Sequence, residues 1–129
     1  MRDILFRGKT VSGRWAEGSL IHAGDYCCVL EDESKIHPMD YPYLDNDLGT
    51  FDGQATPVDP ETVGQFTGLL DKDGKKIFEG DIVYNGVFKA SVDFYNGRFI
   101  PFNGEYCTFF PSECEIIGNI YDNPKLVKH

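Results

Sequence analysis

PETVGQFTGLLDKDGKKIFEGDIV (Pro60–Val83) is the stretch on which the reading of the fold turns. VGQFTGLL and KKIFEGDIV both have strand character, and Asp73-Gly74 between them tolerates the positive φ angles of a type I′ hairpin. Pairing the two runs about that turn predicts Leu69, Phe78 and Ile82 on one face and Glu79 and Asp81 on the other. It also sets Asp71 opposite Lys76, a cross-strand charge pair of modest value. Just before the hairpin, Asp59-Pro60-Glu61 has the chemistry of a short helical turn, with Asp as cap and Pro in the first position.

Downstream, Asn85-Gly86 and Asn96-Gly97 are two further hairpin signals. About the second, alternation groups Val92, Phe94 and Phe99 on one face and Asp93, Tyr95 and Arg98 on the other. The strands expected from this half are 77–84, 87–95, 98–102, 106–110 and 114–121, with Pro111-Ser112-Glu113 turning the chain before the last. Five short strands with tight hairpins fit a small SH3-like barrel, which protects its edges by closing its sheet. Upstream, Asp3–Lys9, Arg14–Ala23 and Tyr26–Leu30 read as three strands, the first two joined at Ser12-Gly13, with Trp15 and Leu20 as core anchors. The predicted architecture is mainly β: an N-terminal sheet unit over 1–69 packed on a C-terminal SH3-like five-stranded barrel over 70–129, together one compact domain.

The totals agree with this class. A chain of 129 residues fits one ordinary domain and buries roughly two-thirds of the surface its unfolded form exposes. Fourteen glycines, seven prolines and seventeen Phe or Tyr residues favour short strands and turns over long helices. The N-terminus lacks the apolar core of a secretory signal, and no run approaches the ~20 apolar residues of a membrane span. The expected location is the cytoplasm, where Cys27, Cys28, Cys107 and Cys114 are reduced thiols packed as small hydrophobes.

Charge is distributed unevenly. The net charge is −9, and from Asp25 to Glu61 ten acids face the single base Lys35, so this segment carries all of it. The body outside is neutral, which argues against a general nucleic-acid binder. Residues 31–61 hold four prolines and no apolar periodicity, and read as one long acidic loop. Within it Tyr41, Tyr43 and Phe51 interleave with Asp40, Asp45, Asp47 and Asp52. Aromatics supply contact area and carboxylates select a basic partner, so these seven residues are the expected partner-binding set.

Catalytic and ligand motifs fail on inspection. GLLDKDGKK (Gly68–Lys76) lacks the spacing, the Ser or Thr and the following helix of a phosphate loop. Aligned as a calcium loop, it places Leu69 first and Gly80 at the twelfth position, where Glu belongs. Glu79 and Asp81 have no third group for acid–base work. The cysteines, with His22, do not match zinc-knuckle spacing, and Asp45-Asn46-Asp47 with Asp52 reads as turn-forming acids before a cation site. No cofactor and no metal are expected.

MRDILFRGK (1–9), GRWAEGSL (Gly13–Leu20), the Pro60–Val83 block and EIIGNIYDNPKL (Glu115–Leu126) together resemble the YopX-like proteins of bacteriophages and prophages. The resemblance implies a small, mainly β protein of phage or prophage origin with an SH3-type barrel at its C-terminal end. It implies no catalytic residues. The expected role is a non-enzymatic accessory protein that engages another protein, foremost a basic one of the bacterial host. A carboxylate- or metal-dependent enzyme, and a barrel that binds nucleic acid through Lys72, Lys75, Lys76, Lys89 and Arg98, are the alternatives. Self-association through exposed Tyr residues stays open.

Overall fold

The computed structural model describes residues 4–23, 26–31, 55–95, 97–102 and 109–126. They form eleven strands and three short 3-10 turns, with no α-helix among the described residues. The mainly β class is therefore what the chain adopts. The described chain divides into two compact units, with the division between Gln65 and Phe66.

In the first unit, strands β1 (Phe6–Lys9), β2 (Trp15–Ala23), β3 (Tyr26–Leu30) and β4 (Ala55–Val58) lie in the order β4-β3-β2-β1, all antiparallel. The first residues of β5 (Gly64–Leu70) join beside β1, with Phe6 opposite Gln65. The turn from β1 to β2 closes where expected. Gly13 takes φ 87°, and the Thr10 N–H donates to the Arg14 carbonyl at 2.8 Å. Ala16, Cys27, Val29 and Val58 form the core, with Leu20 packed against it. Trp15 is not part of that core. It has the opposite strand parity to Ala16 and Leu20, and it is half-buried beneath the Arg7 guanidinium, 4.6 Å from its ring centroid.

Strand β4 corrects the expectation of an elementless stretch over 31–61. Ala-Thr-Pro-Val is too short to show periodicity and Pro57 argues against a strand, yet the segment pairs along β3 from Cys27↔Val58 to Leu30↔Ala55. Pro57 is tolerated because β4 ends the sheet among the described residues, where a missing N–H costs no ladder bond. The capped turn after it is present as a 3-10 turn over Pro60–Thr62, with the Asp59 carboxylate accepting the Glu61 N–H at 3.0 Å. The Thr62 hydroxyl accepts the Lys9 N–H at 2.8 Å and ties this turn to β1.

In the second unit the rest of β5 pairs with β6 (Lys76–Phe78), through Phe66↔Phe78 and Leu70↔Lys76. The register shifts between these pairs at Gly68, which takes φ 85°, and the Thr67 hydroxyl bridges the irregularity by donating to the Ile77 carbonyl at 2.8 Å. This bulge turns Leu69 toward the Ile77 cluster and away from Phe78, where strict alternation had placed it. The hairpin turn has three residues, Lys72–Gly74: the Asp71 N–H reaches the Lys75 carbonyl at 2.8 Å and the Gly74 N–H reaches the Asp71 carbonyl at 3.0 Å. This geometry is a type I turn closed by a left-handed glycine, in place of the expected two-residue type I′ turn. KKIFEGDIV is likewise two strands, because Gly80 at φ 95° breaks it between β6 and β7 (Asp81–Tyr84).

Beyond β7 come β8 (Lys89–Ser91), β9 (Asp93–Tyr95), β10 (Arg98–Ile100) and β11 (Glu115–Asn119). They make a sheet in the order β11-β7-β8 and a β9–β10 hairpin, and no sheet closes into a barrel among the described residues. The expected strand 106–110 lies mostly outside the described residues. Val92, between β8 and β9, exchanges hydrogen bonds with Gly80 and Asp81, both at 2.8 Å. It packs in a core with Ile77, Val83, Phe99, Phe102, Phe109 and Cys114. Phe94 leans on Phe99 at 4.9 Å between ring centroids but stays 53% exposed.

Asp71 is not paired with Lys76. Its buried carboxylate accepts three backbone N–H groups, from Asp73 at 2.8 Å, Lys75 at 2.9 Å and Ile116 at 3.2 Å. Burial alone pushes this carboxyl upward, and the three donors together with the Lys75 charge outweigh it, so the net shift is below the ordinary 3.8. A depressed folded value stabilises the fold above the unfolded value, and that contribution is lost as pH falls through the folded one. Asp71→Asn should destabilise by about 1–3 kcal/mol at pH 7. In urea unfolding, the gap between the two proteins should hold steady from neutral pH down to about pH 5 and narrow below the ordinary aspartate value.

Glycine substitutions separate two kinds of constraint. A Cβ on Gly18 would collide with the Leu30 carbonyl oxygen, whereas one on Gly13 would meet nothing within 4 Å. Gly13→Ala should therefore cost only the left-handed backbone penalty of about 1–2 kcal/mol. Gly18→Ala must part β2 from β3, and its unfolding midpoint should fall further than that of Gly13→Ala.

Candidate functional site

Asp40, Tyr41, Tyr43, Asp45, Asp47, Phe51 and Asp52 all lie outside the described residues, as does the Asp45-Asn46-Asp47 cation candidate. The structure does show how their segment is attached. Leu30, at the end of β3, is paired directly with Ala55, at the start of β4. Residues 32–54 thus leave and return at neighbouring points of one antiparallel sheet.

The first acid of the 31–61 stretch, Glu31, belongs to the fold. Glu31 is 5% exposed, and its carboxylate receives Arg14 through two bonds, Nη1 to Oε1 at 2.6 Å and Nη2 to Oε2 at 3.0 Å. The Thr56 hydroxyl donates to Oε2 at 2.5 Å. Arg14 follows the β1–β2 turn, Glu31 follows β3 and Thr56 is the second residue of β4, so one carboxylate joins three segments at the root of the connection. Beyond it, Asp32, Glu33, Asp40, Asp45, Asp47 and Asp52 face only Lys35, a net charge of −5 out of the chain's −9.

The other acids singled out from sequence have local partners. Asp81 is 2% exposed and accepts the Phe78 N–H at 2.8 Å, which holds the turn at Gly80. Glu79 is half-buried and lies across that turn, so the pair does not form the shared strand face an acid–base couple needs. Of the five basic residues considered for nucleic acid, Lys72 makes an exposed ion pair with Glu115 at 3.7 Å. Such pairs are worth little.

Cys27 and Cys28 are buried in the first unit and Cys114 in the second, all as free thiols, and Cys107 lies outside the described residues. Cys27 stands opposite His22 on β2, with Sγ 4.0 Å from Nδ1. Burial pushes the thiols of Cys27 and Cys28 upward, and the neighbouring Cys27 adds to the shift at Cys28. A thiol kept protonated is a poor nucleophile and a poor metal ligand. Among the described residues no three His, Cys, Asp or Glu side chains gather in a way that could hold a metal ion.

Sequence reasoning missed a set of exposed apolar side chains in the second unit. Val87 and Phe88 are 72% and 59% exposed on the turn between β7 and β8. That turn is held from within: Asn85 Oδ1 accepts the N–H groups of Val87 and Phe88 at 2.9 and 2.8 Å, and the Tyr84 hydroxyl donates to the Gly86 carbonyl at 2.9 Å. Asn85-Gly86 signalled the turn, but exposure is a tertiary property that alternation does not encode. Tyr95 and Phe110 are also exposed.

The described residues define a class: two small antiparallel β units, with an acidic connection between two paired strands of the first. The model of the YopX protein family matches residues 16–128, and the chain belongs to that family. The match starts inside GRWAEGSL and leaves out the opening nine residues. Among solved structures, protein EF1440 from Enterococcus faecalis is similar, with a TM-score of 0.56 and 21% identity over 99% of this chain and 100% of that one. No curated protein matches the chain in sequence.

The burial of the thiols has a direct check. In the native protein at pH 8, Cys27, Cys28 and Cys114 should resist an alkylating reagent, and each should label when denaturant is added. Peptide mapping by mass spectrometry reads the sites separately.

Proposed function

We propose that this protein is a non-enzymatic accessory module that binds another protein through its acidic β3–β4 connection. Asp40, Tyr41, Tyr43, Asp45, Asp47, Phe51 and Asp52 form the contact set, and a basic protein of the bacterial host is the partner. The observation that carries the reading is the root. A segment of net charge −5 is mounted between paired strands whose ends are held together by Glu31, Arg14 and Thr56. A fixed base lowers the ordering cost of a contact made by a long connection, and clustered carboxylates speed encounter with a basic surface.

The same reading assigns the protein to a phage or prophage, acting in the cytoplasm of the host cell without a cofactor. No described helix is long and apolar enough to cross a membrane. It also takes the second unit as an SH3-like barrel. What supports that view is the placing of β11 beside β7 and of β8 on its other side, with β9–β10 following as a hairpin.

The test is binding of host proteins by the immobilised chain across a salt series, beside a variant carrying Asp→Asn at positions 40, 45, 47 and 52. A partner of this kind should be retained at about 50 mM salt and released by about 0.5 M, where screening is nearly complete at contact distances. The variant should not retain it. Capture that ignores salt, or equal capture by the variant, contradicts the reading.

A further inference from the structure

We propose that the Arg14–Glu31–Thr56 cluster is a latch that sets whether β4 is docked on β3, independently of the rest of the sheet. Strand β4 is an edge element of its unit. It is four residues long and has a paired neighbour on one side only among the described residues. What β4 has in addition is Thr56, fully buried, with its hydroxyl on Glu31 Oε2. The Glu31 side chain is 1% exposed and already receives Arg14, whose own side chain is 28% exposed.

A buried ion pair contributes little net stability against an apolar pair of the same shape, because both charges lose their hydration. It does enforce one geometry, since a carboxylate that loses its donors inside the protein is strongly disfavoured. Here that geometry needs the end of the β1–β2 turn, the end of β3 and the start of β4 at the same time. When β4 lifts, Glu31 loses the Thr56 hydroxyl and the site opens to water. When β4 docks, the three segments lock together. Opening should be a local event of β4 and the adjoining end of β3, of the kind that native-state exchange resolves as a separate unit.

The consequence rests on the function proposed above: β4 is the return root of the acidic connection, so a partner seated on that connection would bias the latch. The latch itself requires no partner. The two ideas also separate by salt, because a buried pair is screened far less than exposed charges. Salt that removes partner binding should leave β4 docked.

Deuterium exchange on the full chain, read by mass spectrometry, tests the latch. Glu31→Gln should raise exchange in peptides covering 26–31 and 55–58 by about a hundredfold or more, and leave 6–9 and 15–18 within about twofold of the parent. Thr56→Val keeps the ion pair and should raise exchange over 55–58 by about tenfold, which preserves the test if Glu31→Gln fails to fold. Equal acceleration in all four peptides makes the cluster a general stabiliser and overturns the latch. So does unchanged exchange over 55–58 in both variants.

Discussion

A carboxylate taken out of water must be met by donors or it will not stay. Among the described residues three acids, Glu31, Asp71 and Asp81, are buried, and each stands at or beside the end of a strand. Glu31 receives a guanidinium and a hydroxyl as β3 ends, Asp71 gathers three backbone N–H groups around the β5–β6 turn, and Asp81 takes the N–H of Phe78 across the break at Gly80. The apolar clusters drive burial in each unit but are small, and their side chains come from strands of three to nine residues. What gives short strands a unique arrangement is the set of carboxylate-anchored turns. Asp71 shows this best, since its bond to Ile116 joins the β5–β6 turn to a strand 45 residues further on.

This divides the protein's acidity in two. Buried carboxylates hold the described fold, while the residues from Asp32 to Asp52 carry most of the net charge. Counted from sequence alone, Glu31 belonged with the second group and Asp81 with a possible acid–base pair. Both acids are drawn inside by donors at a strand end: the Phe78 N–H for Asp81, and the Arg14 guanidinium with the Thr56 hydroxyl for Glu31.

What was legible in the sequence follows from the range of the forces involved. Turns are local, so Ser12-Gly13, Asn85-Gly86 and Asp59-Pro60 were read correctly from two or three residues each. The third strand, Tyr26–Leu30, was found to the residue because an apolar run bounded by polar residues marks itself. Errors arose where tertiary pairing overrode pattern. Ala55–Val58 becomes a strand only because β3 offers it an edge, the bulge at Gly68 reverses the parity of Leu69, and Gly80 divides one predicted strand into two. Trp15, expected as a core anchor, falls by strand parity on the other face, against Arg7. The candidate contact residues were legible as composition, and their attachment at Leu30 and Ala55 became visible only in the sheet register.

Because β3 and β4 pair as far as Leu30↔Ala55, the first unit should fold without residues 32–54 between them. Replacing residues 32–54 by a short Gly-Asn turn between Glu31 and Ala55, then measuring the urea unfolding free energy, tests this directly. Shortening the loop roughly elevenfold lowers its closure cost by about 2 kcal/mol, so stability should equal or slightly exceed that of the parent, with an unchanged urea dependence. A cooperative transition that is lost, or that falls by several kcal/mol, would show instead that the connection is part of the core.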